Sequence, residues 1–274
     1  MNILDQIIEH KKKELSDRKS LYPVKLLEQS IFFSSPTVSL KKYVQREDKT
    51  GIIAEFKRRS PSKGIINAHA SVERTTIGYM QAGASALSVL TDKQFFGGSN
   101  EDLVTARKFN FCPILRKDFT IDEYQIIEAK SIGADAILLI AAVLDPKVSQ
   151  NLTTFAHSLG LEVLLEVHDE SELKANLEVG ADLIGVNNRN LKTFEVSIEN
   201  SKRLSTLIPD GVVKVSESGI TSVETILDLR QYGYKGFLMG ENFMKHAGPE
   251  VAAMEFVEEL RRVETMKVKP SSRL

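Results

Sequence analysis

Tryptophan is absent from these 274 residues, and cysteine occurs once, at Cys112. A lone thiol excludes an internal disulfide framework and gives no cysteine set for zinc. The five histidines (His10, His69, His157, His168 and His246) are scattered at none of the spacings that metal ligands favour, so no metal is expected. No apolar run approaches 18 residues, which argues against a membrane span. The opening stretch MNILDQIIEHKKKEL lacks the apolar core of a signal peptide. Charge of one sign is also missing: 36 Lys and Arg stand against 37 Asp and Glu. Global basicity for nucleic acid or an acidic membrane is therefore not there. The run Lys11-Lys12-Lys13 reads as a solvated helix face rather than a binding tail. The expectation is a cytoplasmic protein that acts on a small molecule. With no long exposed apolar surface identifiable, a monomer is expected.

Hydrophobic residues make up 42% of the chain, enough for a large core. Residues 1–48 read as helices. Leu4, Ile7, Ile8 and Leu15 recur at helical spacing; Tyr22-Pro23 opens a second helix carrying Leu26, Leu27 and Ile31; a third runs from Leu40 to Arg46. These apolar stripes need a surface to cover, so the segment is expected to pack on the main domain. From Gly51 onward, β-rich runs alternate with helical ones. Eight strands are expected: 52–56, 86–91, 113–117, 136–141, 162–166, 183–187, 212–216 and 236–239. Helical patterns at 71–82, 122–131, 171–179 and 222–232 lie between them. Such alternation implies parallel strands with right-handed crossovers, and eight units fit a closed (β/α)8 TIM barrel over residues 49–265. A weak repeat supports this: Gly83, Gly133, Gly180 and Gly233 each close a helix before an even-numbered strand. Residues 266–274 are expected to be a disordered tail.

Catalytic groups of such barrels lie at the C-terminal ends of the strands. Read strand by strand, those ends supply Glu55 and Lys57, then Lys117 and Asp118, Glu166, Asn187 and Arg189, Glu217 to Gly219, and finally Gly240 and Glu241. Side chains alternate along a strand. Leu115 therefore shares a face with Lys117, Leu164 with Glu166, Gly185 with Asn187, and Val215 with Glu217. If those faces point inward, three glutamates and two lysines meet at one mouth. Ionised groups gathered there are costly unless they are paired or used. Any one of them could belong to a self-neutralising ion-pair network; the whole set at one end of one barrel points to a functional site. Three segments suit a phosphate: Ser60-Pro61-Ser62, Glu217-Ser218-Gly219-Ile220 and Leu238-Met239-Gly240-Glu241. Phe96 and Phe119 could wall an aromatic substrate, whereas Phe95 reads as packing on the rim.

These residues resemble the indole-3-glycerol phosphate synthase family. The matching segments are IIAEFKRRSPSKG (52–64), LSVLTDKQFFGGS (87–99), PILRKDFTIDEYQI (113–126), GADAILLIAAVL (133–144), LEVLLEVHDESEL (161–173), IGVNNRNLKTFEV (184–196), VSESGI (215–220) and FLMGENFM (237–244). The resemblance implies a tryptophan-pathway enzyme that closes the indole ring of 1-(2-carboxyphenylamino)-1-deoxyribulose 5-phosphate, with loss of carbon dioxide and water and no metal or organic cofactor. By position, Lys117 resembles the catalytic lysine and Glu166 the second acid/base group. Lys57 and Arg189 would hold the substrate carboxylate, Glu55 and Asn187 would orient groups, and Glu217 would stabilise charge. Ser60, Ser218, Gly219, Gly240 and Glu241 (by its backbone N–H) would hold phosphate, with Phe96, Phe119 and Leu138 as the hydrophobic wall. Phe56, where many relatives are aliphatic, should point outward. Nothing after about residue 265 is long enough for the isomerase barrel fused on in some bacteria, which implies the monofunctional form. Rival readings are phosphoribosylanthranilate isomerase, a Schiff-base aldolase using Lys117, and a phosphate-ligand binding barrel without catalysis. The first of these uses a Cys base at the end of strand one, and Cys112 is expected at the other end of the barrel.

Overall fold

The computed structural model describes residues 3–191 and 193–268. Eight parallel strands close on themselves: β1 (Ile52–Phe56), β4 (Ala86–Leu90), β5 (Ile114–Lys117), β6 (Ala136–Ile140), β7 (Glu162–Val167), β8 (Leu183–Asn187), β9 (Val213–Glu217) and β10 (Tyr234–Met239). The seam joins first to last, with Ile52 beside Phe237 and Ala54 beside Met239. Between β1 and β4 lies a small antiparallel hairpin, β2 (Arg59–Ser60) and β3 (Gly64–Ile65), which the strand pattern did not suggest.

Helices α4 (Val72–Ala82), α5 (Asn100–Phe109), α6 (Glu123–Ser131), α7 (Pro146–Ser158), α8 (Glu170–Ala175), α9 (Glu199–Ser205), α10 (Val223–Gln231), α11 (Glu241–Met244) and α12 (Pro249–Val268) follow the strands. The sequence marks several helix starts with a capping side chain: Ser71, Ser99, Asp122, Asp145, Asp169 and Ser222 each accept a hydrogen bond from a first-turn N–H. The pattern at 171–179 divides into α8 and a 3-10 turn, Leu177–Val179. The tail expected from residue 266 begins within α12, and residues 269–274 lie outside the described residues.

Alternation along each strand separates two cores. Ile53, Leu115, Leu138, Leu164, Val215 and Leu238 fill the barrel, while Phe56, Val89, Leu139, Val186 and Phe237 pack outward under the helices. Phe56 faces outward, as parity requires.

The N-terminal extension forms α1 (Ile3–Leu21), α2 (Val24–Leu27) and α3 (Leu40–Val44). It descends the outside of the barrel. Tyr124 Oη of α6 donates to the carbonyls of Arg18 and Tyr22 at 3.0 and 2.8 Å, and Lys19 pairs with Asp122 at 2.8 Å. At the floor, Leu40 and Val44 of α3 join the interior core and plug the barrel from below. Two expectations fail here. The second helix is four residues long, and Ile31, placed on its apolar stripe, is 79% exposed. The lysine run is not wholly a solvated face: Lys12 and Lys13 are exposed, but Lys11 is buried. Its ammonium lies 3.0 Å from both Asp92 and Asp118, groups too distant in sequence for a local charge pattern to reveal.

Candidate active site

Parity sends Glu55, Lys57, Lys117, Glu166, Asn187 and Glu217 to the C-terminal mouth, around a cavity of about 450 Å³. Lys117 Nζ lies 3.0 Å from Glu166 Oε2 and 3.3 Å from Glu217 Oε2. Lys57 pairs separately with Glu55 at 2.7 Å. Asn187 Nδ2 donates to Glu166 Oε1 at 3.0 Å.

One lysine thus serves two buried carboxylates, and their surroundings differ. Burial alone would raise the Glu166 carboxyl, but Lys117, His168 and Asn187 overcome it and hold the group well below the usual carboxylate range. Glu217 goes the other way. Burial dominates the one attraction to Lys117, and Glu166 and Glu55 add repulsion, so its pKa rises to about 7. Its Oε1 lacks a hydrogen-bond partner. Burial pulls the Lys117 ammonium down, yet Glu166, Glu217 and Glu55 outweigh it and keep the group firmly cationic. Space for this cluster comes from absent side chains. A Cβ on Gly185 would fall 2.2 Å from Glu217 Oε1, and one on Gly240 would fall 2.6 Å from Glu55 Oε1.

Phe96 and Phe119 face each other with ring centroids 5.9 Å apart, and Leu138 lines the cavity with them. Phe95 packs against the His10 ring of α1, as a rim residue would. The same cavity is lined by Ser60, Ser218, Gly219, Gly240 and Glu241; the Ser60 segment adjoins the Phe96 loop, with Arg59 N donating to the Phe96 carbonyl at 3.3 Å. Ser218 adopts the left-handed conformation (φ 65) that side chains avoid. Its carbonyl accepts from Asn188 Nδ2 at 3.1 Å, and Gly219 follows at φ 77. The Glu241 carboxylate bridges Lys63 (3.3 Å) and Arg189 (3.5 Å).

All fifteen expected site residues line this cavity. Sequence reasoning missed His168, whose Nε2 is 3.2 Å from Glu166 Oε1 while its Nδ1 is 3.1 Å from Glu172. Those two carboxylates outweigh burial and raise its pKa to about 10. The same i, i+2 parity that found Lys57 beside Glu55 would have found it. Ile3, Leu4 and Ile7 of α1 also reach the cavity, which no pattern within the extension announced. Among the described residues no cluster of His, Cys, Asp or Glu is arranged to hold a metal. No described helix is long and apolar enough to cross a membrane.

A sequence profile described as Indole-3-glycerol phosphate synthase matches residues 4–256. Proteins named indole-3-glycerol phosphate synthase are 48% identical over 260 residues in Bacteroides thetaiotaomicron (95% of this chain, 99% of the relative) and 43% identical over 261 residues in Caldanaerobacter subterraneus subsp. tengcongensis (94% and 99%). Among solved structures, a thiamine phosphate pyrophosphorylase from Pyrococcus furiosus superposes with a TM-score of 0.60 at 15% identity, covering 84% of this chain and 100% of that one. At that identity the likeness speaks for the fold alone.

Proposed function

The chain belongs to the indole-3-glycerol phosphate synthase family, and from that premise we propose that Lys117 is the general acid of its ring closure and Glu166 the partner acid/base. The enzyme is a decarboxylating lyase of tryptophan biosynthesis acting on a phosphorylated small molecule. The observation that carries the assignment is the buried Lys117 ammonium within 3.3 Å of both Glu166 and Glu217.

The aryl carbon bearing the substrate carboxylate attacks the ketone, and the ketone oxygen takes a proton from Lys117. Carbon dioxide then leaves and the ring regains aromaticity. The new hydroxyl takes a second proton and departs as water, while Glu166 receives the proton lost from the neighbouring CH2. Two protons enter and one returns, so each turnover takes up one from solvent. A lysine held cationic by flanking carboxylates suits this role and opposes the Schiff-base alternative, which needs a neutral amine.

Lys57 and Arg189 hold the substrate carboxylate; Asn187 and Glu55 orient Glu166 and Lys57; Glu217 stabilises positive charge. Phe96, Phe119 and Leu138 enclose the aryl ring. Ser60 and the backbone N–H groups at Ser218, Gly219, Gly240 and Glu241 receive the phosphate, with Lys63 and Arg189 offsetting the Glu241 carboxylate. We further propose that the protein works as a cytoplasmic monomer, which light scattering at assay concentration tests for the oligomeric state.

The test is to mix the protein with the carboxyphenylamino-deoxyribulose phosphate in chelator and follow indole fluorescence, against a background free of tryptophan. Turnover is expected in the wild type. Lys117→Ala should lower kcat by about 10²–10⁴-fold while product affinity stays within about tenfold. Retained turnover in that variant would refute the Lys117 assignment.

A further inference from the structure

Lys11 is the least expected buried cation of the molecule. It stands on α1, outside the barrel, yet it is 2% exposed. Three carboxylates hold its ammonium: Glu14 at 2.9 Å, Asp92 at 3.0 Å and Asp118 at 3.0 Å. Taking a lysine and two aspartates out of water is costly, and such groups stay buried when they fix an arrangement that packing alone leaves loose.

The arrangement fixed here is the aromatic side of the site. Asp92 follows β4, and its Oδ1 accepts from the N–H groups of Phe95 (2.7 Å) and Phe96 (3.2 Å), while its carbonyl accepts from Gly98 N at 2.8 Å. Asp118 follows β5, with Oδ1 accepting from Phe119 N at 2.7 Å and Oδ2 from Thr91 Oγ1 at 2.5 Å. Each aspartate therefore folds one loop, and each loop carries one of the two facing rings, Phe96 and Phe119. Lys11 Nζ is the atom that joins the two aspartates. Its helix carries the join into the cavity: Leu4, Ile7, Lys11 and Glu14 follow one another at three- and four-residue steps, so they share one face of α1. Ile3, Leu4 and Ile7 line the same cavity as the two rings.

We propose that Lys11 is a positioning residue for the aryl-ring subsite: through Asp92 and Asp118 it sets Phe96 and Phe119 against each other and seats α1 over them. It is not among the residues that line the cavity, whereas Ser60, Ser218 and Gly240 are. This inference rests on the ring-closing reading of the site.

Position and chemistry separate in the kinetics. Loss of ring binding common to ground and transition states raises KM and leaves kcat nearly unchanged. Lys11→Met keeps the length of the side chain and removes its charge. Its KM for the carboxyphenylamino-deoxyribulose phosphate is expected to rise on the order of tenfold, with kcat within about threefold. Inhibition by indole-3-glycerol phosphate, which carries the ring, should weaken in parallel, while inhibition by glycerol 3-phosphate, which lacks it, should not change. Because Lys11→Met takes from buried Asp92 its cation and leaves Asp118 only Arg116, at 3.6 Å, the triple variant Lys11→Met, Asp92→Asn, Asp118→Asn is the companion. Its amide oxygens still accept from the loop N–H groups, so folding is recovered, and the raised KM and the split between the two inhibitors should persist. Recovery of KM along with stability would overturn the proposal, as would equal weakening of both inhibitors. Failure of the wild type to turn over the substrate would count against the ring-closing reading instead. Amide exchange at residues 92–98 and 118–121 then still reads whether Lys11 orders those loops.

Discussion

Glu166 and Glu217 share one ammonium but take opposite pKa shifts, because only Glu166 also has the Asn187 amide donating to it and the His168 ring 3.2 Å away. Environments that separate two carboxyls in this way give each its own protonation state near neutral pH. Glu217 works as an anion beside Lys117. The prediction is that kcat/KM falls as pH drops through about 7, where Glu217 takes up a proton. Glu217→Gln should remove that limb and leave a lower, flatter profile; a limb that persists would assign the titration elsewhere, since coupled groups titrate as a set. At this scale the sequence was most readable where position alone decides. A residue at a strand end, with the right parity, faces the mouth whatever its neighbours are, and so Glu55, Lys117, Glu166 and Glu217 could be found. The charge state of each could not, because it depends on groups brought close by folding, such as His168 and the absent side chain at Gly185.

At the level of elements, the barrel strands emerge almost to the residue, because β-rich runs, helix caps and closing glycines all punctuate them in agreement. The extension was harder to read. Helical spacing finds α1 and α3 but does not say what they cover, and Lys11 looks like any exposed lysine until Asp92 and Asp118 are beside it. The second helix failed because Leu26 and Ile31 have no surface to pack on and remain exposed. α3 makes a prediction of its own. Leu40 is fully buried among the residues at the barrel floor. Leu40→Ala should cost about 2–5 kcal/mol through lost burial and the cavity left behind. Chemical denaturation would measure this, with kcat little changed because the floor lies at the far end from Lys117. A cost below about 1 kcal/mol would mean that α3 does not seal the barrel.

Over the whole molecule, buried titrating groups set the pH range of greatest stability. Asp118 is raised by burial but drawn more strongly down by Lys11 and Arg116, to about 2, and Glu166 is also depressed. Their contribution is present above the ordinary carboxylate pKa and is lost as pH falls through the folded value. Glu217, raised to about 7, favours the folded state while protonated, so its share fades as pH rises from about 4.5 through 7. His168, raised to about 10, contributes fully below about 6.5 and fades as pH climbs through 10. Among these groups the balance places the highest Tm at about pH 4.5–5, with decline on both sides, which calorimetry measures. A Tm still rising between about pH 5 and 7 would contradict the raised pKa of Glu217, and one still rising between about pH 7 and 9 would contradict that of His168.

The closure of β1 onto β10 also sets an order in time. A ribosome adding about 5–20 residues per second makes the first strand roughly 10–40 seconds before its last neighbour. Throughout that interval Ile52–Phe56, all apolar but Glu55 and fully covered in the finished protein, has an open edge on the side that β10 will occupy. An unpaired edge of this kind invites other chains. Synthesis, rather than the finished enzyme, is the stage at which this protein is most exposed to aggregation, and a slower or interrupted arrival of Tyr234–Met239 lengthens that stage.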